Sequence, residues 1–376
     1  MLNSRSKFPI GLDISDLSLK LIQLNKRGSS TDIQTIGTAD IPEGIIVNGD
    51  IKNFDEAVKT VSKLLSKPKY GKVSSKSVIA CLPETKTFIK LIEIEKGPNA
   101  IEKVIQSEIE KHVPFGIKEI YYDWQIINEV GAKQSILVAA VPKIISDQYI
   151  KLLNACKLTV EALEIESVSI SRALLKEESP EKTPDQTNYG IIDIGAGRTS
   201  MILYSKNSIL FTVSMPISGR QITEQISKIL EIDLEQAEKA KLICGLDDNK
   251  AQGVIKKILS DTINDLTSKI QQSIAFYNNH FPDRGDINQI LLCGGGSNIK
   301  NLDNIIHDAI GIEVQMGNTF TNLKGKQTTK KNFTEIYKLT EDFSDSSKSK
   351  SISLTQDVSL SYTTAIGLSL RNILKR

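Results

Sequence analysis

Two stretches half a chain apart repeat one layout. "GLDISDLSLKLIQLNKRGSSTDIQTIGTADIP" begins at Gly11 and "GIIDIGAGRTSMILYSKNSILFTVSMP" at Gly190. Each reads as strand, tight turn, strand, turn, strand. In each, an apolar first strand ends on an aspartate, Asp13 or Asp193, just before the turn. Leu17, Leu19 and Leu21 alternate with Ser18 and Lys20, the period-two pattern of a half-buried strand. A degenerate repeat with a period near half the chain predicts two related lobes rather than a stacked array. Two lobes also suit 376 residues, too many for one ordinary core.

The patterning between the repeats predicts an α/β fold. Phe54, Val58, Val61, Leu64 and Leu65 share one face of a helix over 54–66, stopped by Pro68. Strands at 77–82 and 87–94, a helix over 99–111 closed by Pro114, and strands at 119–128 and 134–141 form a small α+β unit. That unit, about 77–142, is inserted in the first lobe. A helix over 144–156, a strand at 159–165 and a helix over 167–176 return the chain to the lobe. The polar, proline-bearing "KEESPEKTPDQTN" then marks the main boundary. The first lobe is therefore expected to comprise 1–178 plus 357–376, with a linker at 179–188 and a second lobe over 189–320.

Helices dominate 219–281 of the second lobe. Ser218 and Gln221 predict a capping box at the start of this region. A long helix over 252–280 carries Ile255, Leu259, Ile263, Leu266, Ile270 and Ile274 in one stripe, read as lobe core rather than a coiled-coil seam. "INQILLCGGGSNIKNLDNII" reads as a strand, three glycines and a helix starting at Ser297 or Asn298. Residues 321–356 are polar and read as a mobile surface segment. A last helix over 358–374 has small residues on one face, which permit close approach to a neighbour.

The composition excludes several function classes. A net charge of +2 gives no basic excess for nucleic-acid binding. The four cysteines, Cys81, Cys156, Cys244 and Cys293, form no CxxC pair, and His112, His280 and His307 are scattered. Neither a zinc site nor a disulfide framework is expected, and the thiols read as free and buried. No run approaches 18 apolar residues, so no membrane span is expected, and the first residues lack the apolar core of a signal peptide.

Three strand-turn elements are candidates for chemistry. The first is Asp13 with Ser15, Ser18 and Lys20. The second is Asp193 with Gly195, Ala196, Gly197 and Thr199, and the third is Gly294, Gly295, Gly296 and Ser297. A phosphate needs converging backbone N–H groups, which a tight turn supplies and glycine lets approach. A carboxylate beside a phosphate repels it unless a divalent cation lies between. Asp13 and Asp193, one per lobe, are suited to hold Mg²⁺ directly or through its waters. Lys20 can reach the same phosphates, and the triple glycine can lie flat against a ribose or base, with a helix start nearby. No G-x-x-x-x-G-K-[ST] occurs, and no G-x-G-x-x-G opens a helix after the first strand, so P-loop and Rossmann units are excluded.

The order of these motifs resembles the actin/Hsp70/sugar-kinase ATPase superfamily. "IGLDISDLSLKLIQL" resembles its first phosphate loop, "GIIDIGAGRTSMIL" its second and "ILLCGGGSNIKNL" its adenosine motif; "YTTAIGLSLR" resembles its closing connecting helix. Within it the sequence is most similar to the FtsA-related PilM family, actin-like proteins of type IV pilus assembly. The similarity lies in "HVPFGIKEIYYDWQII", "VAAVPKIISDQYIKLLNACKLTVEALEIESVSISRAL" and "ISGRQITEQISKILEIDLEQAEKAK". Ser15 stands where the first loop of such proteins usually has glycine; its hydroxyl is a donor in exchange.

The resemblance implies an actin-like, ribonuclease H-like duplicated two-lobe ATPase fold with ATP (or ADP) and Mg²⁺ between the lobes. It implies that Glu238 and Lys241 lie by the adenine and ribose. It implies a cytoplasmic scaffold at the inner face of the membrane, held there by the cytoplasmic tail of a PilN-like protein gripped beside the insertion and linked to pilus motor ATPases. No residue stands out as a hydrolytic base, so weak or absent ATPase activity is expected; homo-oligomerisation is left open. Two alternatives stand: a small-molecule kinase of the same fold, and an FtsA-like filament-forming division protein. The first needs a sugar pocket, for which 5% aromatic residues and a single Trp124 give little stacking material.

Overall fold

The computed structural model describes residues 8–28, 30–97, 101–113, 115–176, 187–323, 328–331, 334–340 and 351–374. Most of the expected linker at 179–188 and parts of the polar segment at 321–356 lie outside the described residues.

The repeat is structural. Strands β1 (Ile10–Ile14), β2 (Ser18–Arg27) and β3 (Ser30–Asp40) form an antiparallel meander. A small hairpin, β4 (Ile46–Val47) and β5 (Asp50–Ile51), and helix α1 (Phe54–Ser66) lead to β6 (Ser77–Leu82), which runs parallel to β1. The chain then leaves this sheet for β7 (Phe88–Glu95), α2 (Ile101–His112), β8 (Ile120–Val130) and β9 (Lys133–Pro142). It returns through α3 (Lys143–Ala155) to β10 (Thr159–Ile165), parallel to β6, and continues into α4 (Glu166–Leu174). The sheet order is β10-β6-β1-β2-β3.

The second half repeats that order. An antiparallel meander of β11 (Tyr189–Ile194), β12 (Thr199–Ser205) and β13 (Ser208–Met215) is followed by α5 (Gly219–Leu230), α6 (Leu234–Ile243) and α7 (Val254–His280). Then come β14 (Gln289–Cys293), α8 (Leu302–Ile310) and β15 (Glu313–Met316), giving β15-β14-β11-β12-β13 with β14 parallel to β11. Onto the β13 edge the inserted strands add β7-β9-β8, joined where Phe211 faces Lys90. The insertion thus extends the second sheet. β6, which the sequence reading grouped with the insertion, belongs to the first sheet.

Helices cover both faces of each sheet, so the first strand of each repeat is buried. Ile10, Leu12 and Ile14 pack with Ala57, Val61 and Leu64 of α1 and with Tyr149, Leu152 and Leu153 of α3. The stripe of α7 lies in the core of the second lobe, where Ile255, Leu259, Ile263, Leu266 and Ile270 are buried and Ile274 partly so. Each such side chain contributes roughly 1.5–3 kcal/mol. Ser218 caps α5, accepting from the Gln221 N–H at 3.2 Å. Asn53 caps α1 in the same way.

The end of the chain joins the halves. After three antiparallel strands, β16 (Thr328–Lys331), β17 (Thr334–Thr340) and β18 (Ser351–Thr355), come α9 (Gln356–Leu360) and α10 (Thr363–Leu370). The strands fall inside the stretch read as a mobile polar segment, whose low apolar content gave no sign of them. The single helix expected over 358–374 is broken at Ser361–Tyr362. There Ser361 and Thr363 hydroxyls bond back to the Val358 and Leu360 carbonyls, competing with the helical ladder. α10 lies against α4 and β1 so closely that a Cβ on Gly367 would sit 1.8 Å from the Ser169 carbonyl oxygen, and one on Gly11 2.3 Å from that of Ala365. Among the described residues no helix is long and apolar enough to cross a membrane.

Candidate functional site

In each sheet the aspartate-bearing strand sits between an antiparallel neighbour and a parallel one. The crevice outside the carboxyl ends of such strands is where open α/β sheets bind ligands. Asp13 and Asp193 both line one cleft. Ser15, Ser18, Lys20, Gly195, Ala196, Gly197, Gly294 and Gly295 line it too. A second cavity shares its wall and adds Gly296, Glu238 and Lys241. Thirteen of the fifteen residues singled out from the sequence are thereby brought to the two cavities.

Two are turned elsewhere. The Thr199 hydroxyl is fully buried and donates to the Ile217 carbonyl at 2.7 Å. The Ser297 hydroxyl, also buried, donates to the Gly294 carbonyl at 2.7 Å. Both close turns. The helix expected to begin at Ser297 or Asn298 is instead a 3-10 turn over Gly295–Asn298, with α8 starting only at Leu302. The cause is Asn301, which takes a left-handed conformation (φ 67°) between the two.

The first turn is held by its side chains and the second by its backbone. Ser15, standing where a glycine was expected, hydrogen-bonds through Oγ to the Ser18 carbonyl at 3.0 Å and to Ser18 Oγ at 3.1 Å. In the second turn the Gly195 N–H donates to the Arg198 carbonyl at 2.8 Å, and the first N–H groups of α5 reach the Gly195 and Ala196 carbonyls. Gly294 has φ 80°, and a Cβ there would lie 2.3 Å from Asp193 Oδ1. Glycine is required at this point for the aspartate to sit where it does. On the far side, Lys241 is buried and donates to Glu238 at 2.6 Å, Thr223 at 2.8 Å and the Gly219 carbonyl at 3.1 Å.

The structure adds residues the sequence reading did not single out. Glu166, the first residue of α4, and Glu84, just after β6, line the same cleft. Glu84 is 8% exposed, and its Oε2 has no hydrogen-bond partner among the described residues. Asp16 accepts from the Asn48 and Gly49 N–H groups at 2.7 and 2.9 Å, tying the β4–β5 turn to the first loop. Glu166 follows directly on β10, but that strand carries Glu161 and Glu164 and lacks the apolar run that picked out Asp13 and Asp193.

Four carboxyls in one buried cleft perturb one another. Burial first, then the Asp13 charge, pushes Asp193 up to about 7. Burial raises Asp13 as well, against a hydrogen bond from Cys81 and the charge of Lys20, its direct partner across β1–β2. Glu166 is held well above the usual carboxylate range by burial and by Asp13, Asp193 and Glu84 in turn. Burial lowers Lys20 against the pull of Asp13 and Asp40. Such a cleft disfavours full ionisation and favours a bound cation. Among the described residues no three His, Cys, Asp or Glu side chains converge as a chelating set.

Comparisons with known proteins bear on the family and the fold. The sequence profile described as Type IV pilus assembly protein PilM matches residues 11–373. The cell division protein FtsA of Buchnera aphidicola subsp. Acyrthosiphon pisum is 23% identical over 85% of this chain and 86% of its own length. That of Staphylococcus epidermidis strain ATCC 12228 is 25% identical over 82% of this chain and 73% of its own. Among solved structures, a chain of a PilM-PilN type IV pilus biogenesis complex superposes with a TM-score of 0.75 at 19% identity, covering 99% of this chain and all of that one. MreB5 of Spiroplasma citri bound to ADP superposes at 0.52, with 14% identity, over 85% of this chain and 94% of its own. The ethanolamine utilization protein EutJ of Carboxydothermus hydrogenoformans does so at 0.55, with 13% identity, over 96% and 89%. The fold is that of the actin-like ATPases.

Proposed function

The chain belongs to the PilM family of type IV pilus assembly proteins, and on that premise we propose that it is a nucleotide-binding adaptor of the pilus assembly platform. It grips the cytoplasmic tail of a PilN-like membrane protein and so sits at the inner face of the membrane, where it links that protein to the assembly motors. The observation that carries the nucleotide part is the convergence of Asp13 and Asp193, from matching strands of two duplicated sheets, on one cleft.

The residues present fit a Mg²⁺-nucleotide. The donors are hard carboxylate oxygens, the glycines of the second and third turns clear room for phosphate, and the Glu84 oxygen without a partner lies at the wall. Asp13 and Asp193 would hold the ion largely through its waters, since among the described residues no three such side chains converge as a chelating set. The ion, when bound, supplies the positive charge that lets phosphates approach these acids. Glu238 and Lys241, in the adjoining cavity, are the residues for the nucleoside. Turnover is slow or absent, and Glu166 is the carboxylate to substitute when it is measured.

For the tail, β8 is the outer strand of the eight-stranded sheet. Tyr121 on β8 bonds Asp147 of α3 at 3.3 Å and lies under the Lys143 ammonium, 5.3 Å from the ring centre. Tyr121 and Ile144, which follows Lys143, leave a small apolar strip exposed here, while Ile126, also exposed, points from the opposite face of β8. An extended peptide pairing with a free sheet edge and placing side chains on such a strip is a known mode of recognition. The test is titration of a PilN-type tail peptide against the wild type and against Tyr121→Ala and Ile144→Asp. Binding lost in both variants supports the reading; wild-type affinity in both overturns the β8 location.

The division-protein alternative requires a helix with an apolar face free for lipid. α10, the last described helix, buries all eight of its residues in the fold.

A further inference from the structure

The duplication extends to a pair of thiols. In the first sheet β6 runs parallel to β1 with Leu12 facing Ala80, which brings Cys81 level with Asp13. In the second, β14 runs parallel to β11 with Asp193 facing Cys293. Cys81 Sγ donates to Asp13 Oδ1 at 3.2 Å, and Cys293 Sγ to Asp193 Oδ1 at 3.6 Å, within the longer reach of sulfur. Cys81 Sγ in turn accepts from the Ile14 N–H at 3.5 Å. Cys81 is 2% and Cys293 0% exposed.

We propose that Cys81 and Cys293 are matched positioning residues, each thiol pinning one oxygen of a cleft aspartate so that the other faces the magnesium side of a bound nucleotide. The proposal rests on the nucleotide reading above. It accounts for polar contacts that simple packing does not require, since a small hydrophobe would fill either position. Gly294 supports the same end on the second side, where a Cβ would displace Asp193 Oδ1. The thiols act as donors.

The test uses the full chain and Cys81→Ala, Cys81→Ser, Cys293→Ala and Cys293→Ser, each titrated with ATP in Mg²⁺ and again in EDTA. A buried hydrogen bond to a charged acceptor is worth about tenfold in affinity. Each alanine variant is therefore expected to lose about tenfold in the Mg²⁺ titration and nothing in EDTA, while each serine variant, which keeps a donor, stays within about twofold of wild type. A loss equal in both buffers marks a structural role and overturns the proposal. So does wild-type binding by the alanine variants, or a serine variant as weak as the alanine one. If Cys81→Ala acts through Asp13, it adds no further loss in an Asp13→Ala background; an additive loss also overturns the proposal. Wild-type protein that binds no ATP in either buffer overturns the nucleotide reading itself, and the pairing with it.

Discussion

Arg198 Nη2 lies 3.4 Å from Asn48 Oδ1, so a side chain from the second glycine turn spans the cleft to the β4–β5 hairpin of the first half. Its Nη1 bonds Ser214 Oγ at 3.1 Å, and the hairpin is tied back to the first loop by Asp16. The two loops that face the proposed phosphates are thus laced together at the mouth of the cleft.

This bridge is exposed, so its share of folding stability is small, on the order of 0–1 kcal/mol. Its effect is expected in kinetics. Arg198→Ala should leave the melting temperature within about a degree and raise the nucleotide dissociation rate several-fold in stopped-flow displacement. Asp16→Ala, which frees two backbone N–H groups, should raise it further. Equal off-rates in wild type and both variants would remove the latch.

The acid cluster makes the ligand-free protein pH-sensitive. Asp193 is raised to about 7 from an ordinary 3.8. The folded state therefore keeps a proton that the unfolded state releases. The stability associated with this group is whole below pH ~4 and is lost as pH rises through ~7, by at most about 4 kcal/mol. Asp193→Asn, measured in EDTA, should melt higher than wild type at pH 8 and nearly level with it at pH 4.5. A variant advantage that is the same at both pH values contradicts the assignment.

Gly367 is where α10 meets α4. A Cβ there falls 1.8 Å from the Ser169 carbonyl oxygen, and backbone rather than a flexible side chain must move. Gly367→Ala should cost about 3 kcal/mol, the top of the usual range for overpacking, because backbone must move. Denaturant unfolding measures it. A loss below about 1 kcal/mol would mean that the two helices separate readily.

Much of this was legible in the sequence because it is local. The strand-turn-strand repeat, the α7 stripe and the Ser218 cap each depend on neighbours a few residues away, and each lies where the pattern puts it. What was missed depends on distant pairing. Nothing near Ser77 tells whether β6 joins β1, 67 residues earlier, or the strands that follow it. Glu84 and Glu166 acquire meaning only when β6 and β10 are side by side. Thr199 and Ser297 sit in the right motifs, but the Ile217 and Gly294 carbonyls claim their hydroxyls. The strands over 328–355 have a composition that does not distinguish a polar sheet from a loop.

The central claim is that Asp13 and Asp193 serve one Mg²⁺-nucleotide between duplicated sheets. Isothermal titration of the full chain with Mg-ATP, repeated on Asp193→Ala, tests it most directly. The account predicts saturable one-site binding by the wild type and at least tenfold weaker binding by the variant, with the difference abolished in EDTA. Equal affinity in the two proteins, or no heat of binding in the wild type, would contradict it.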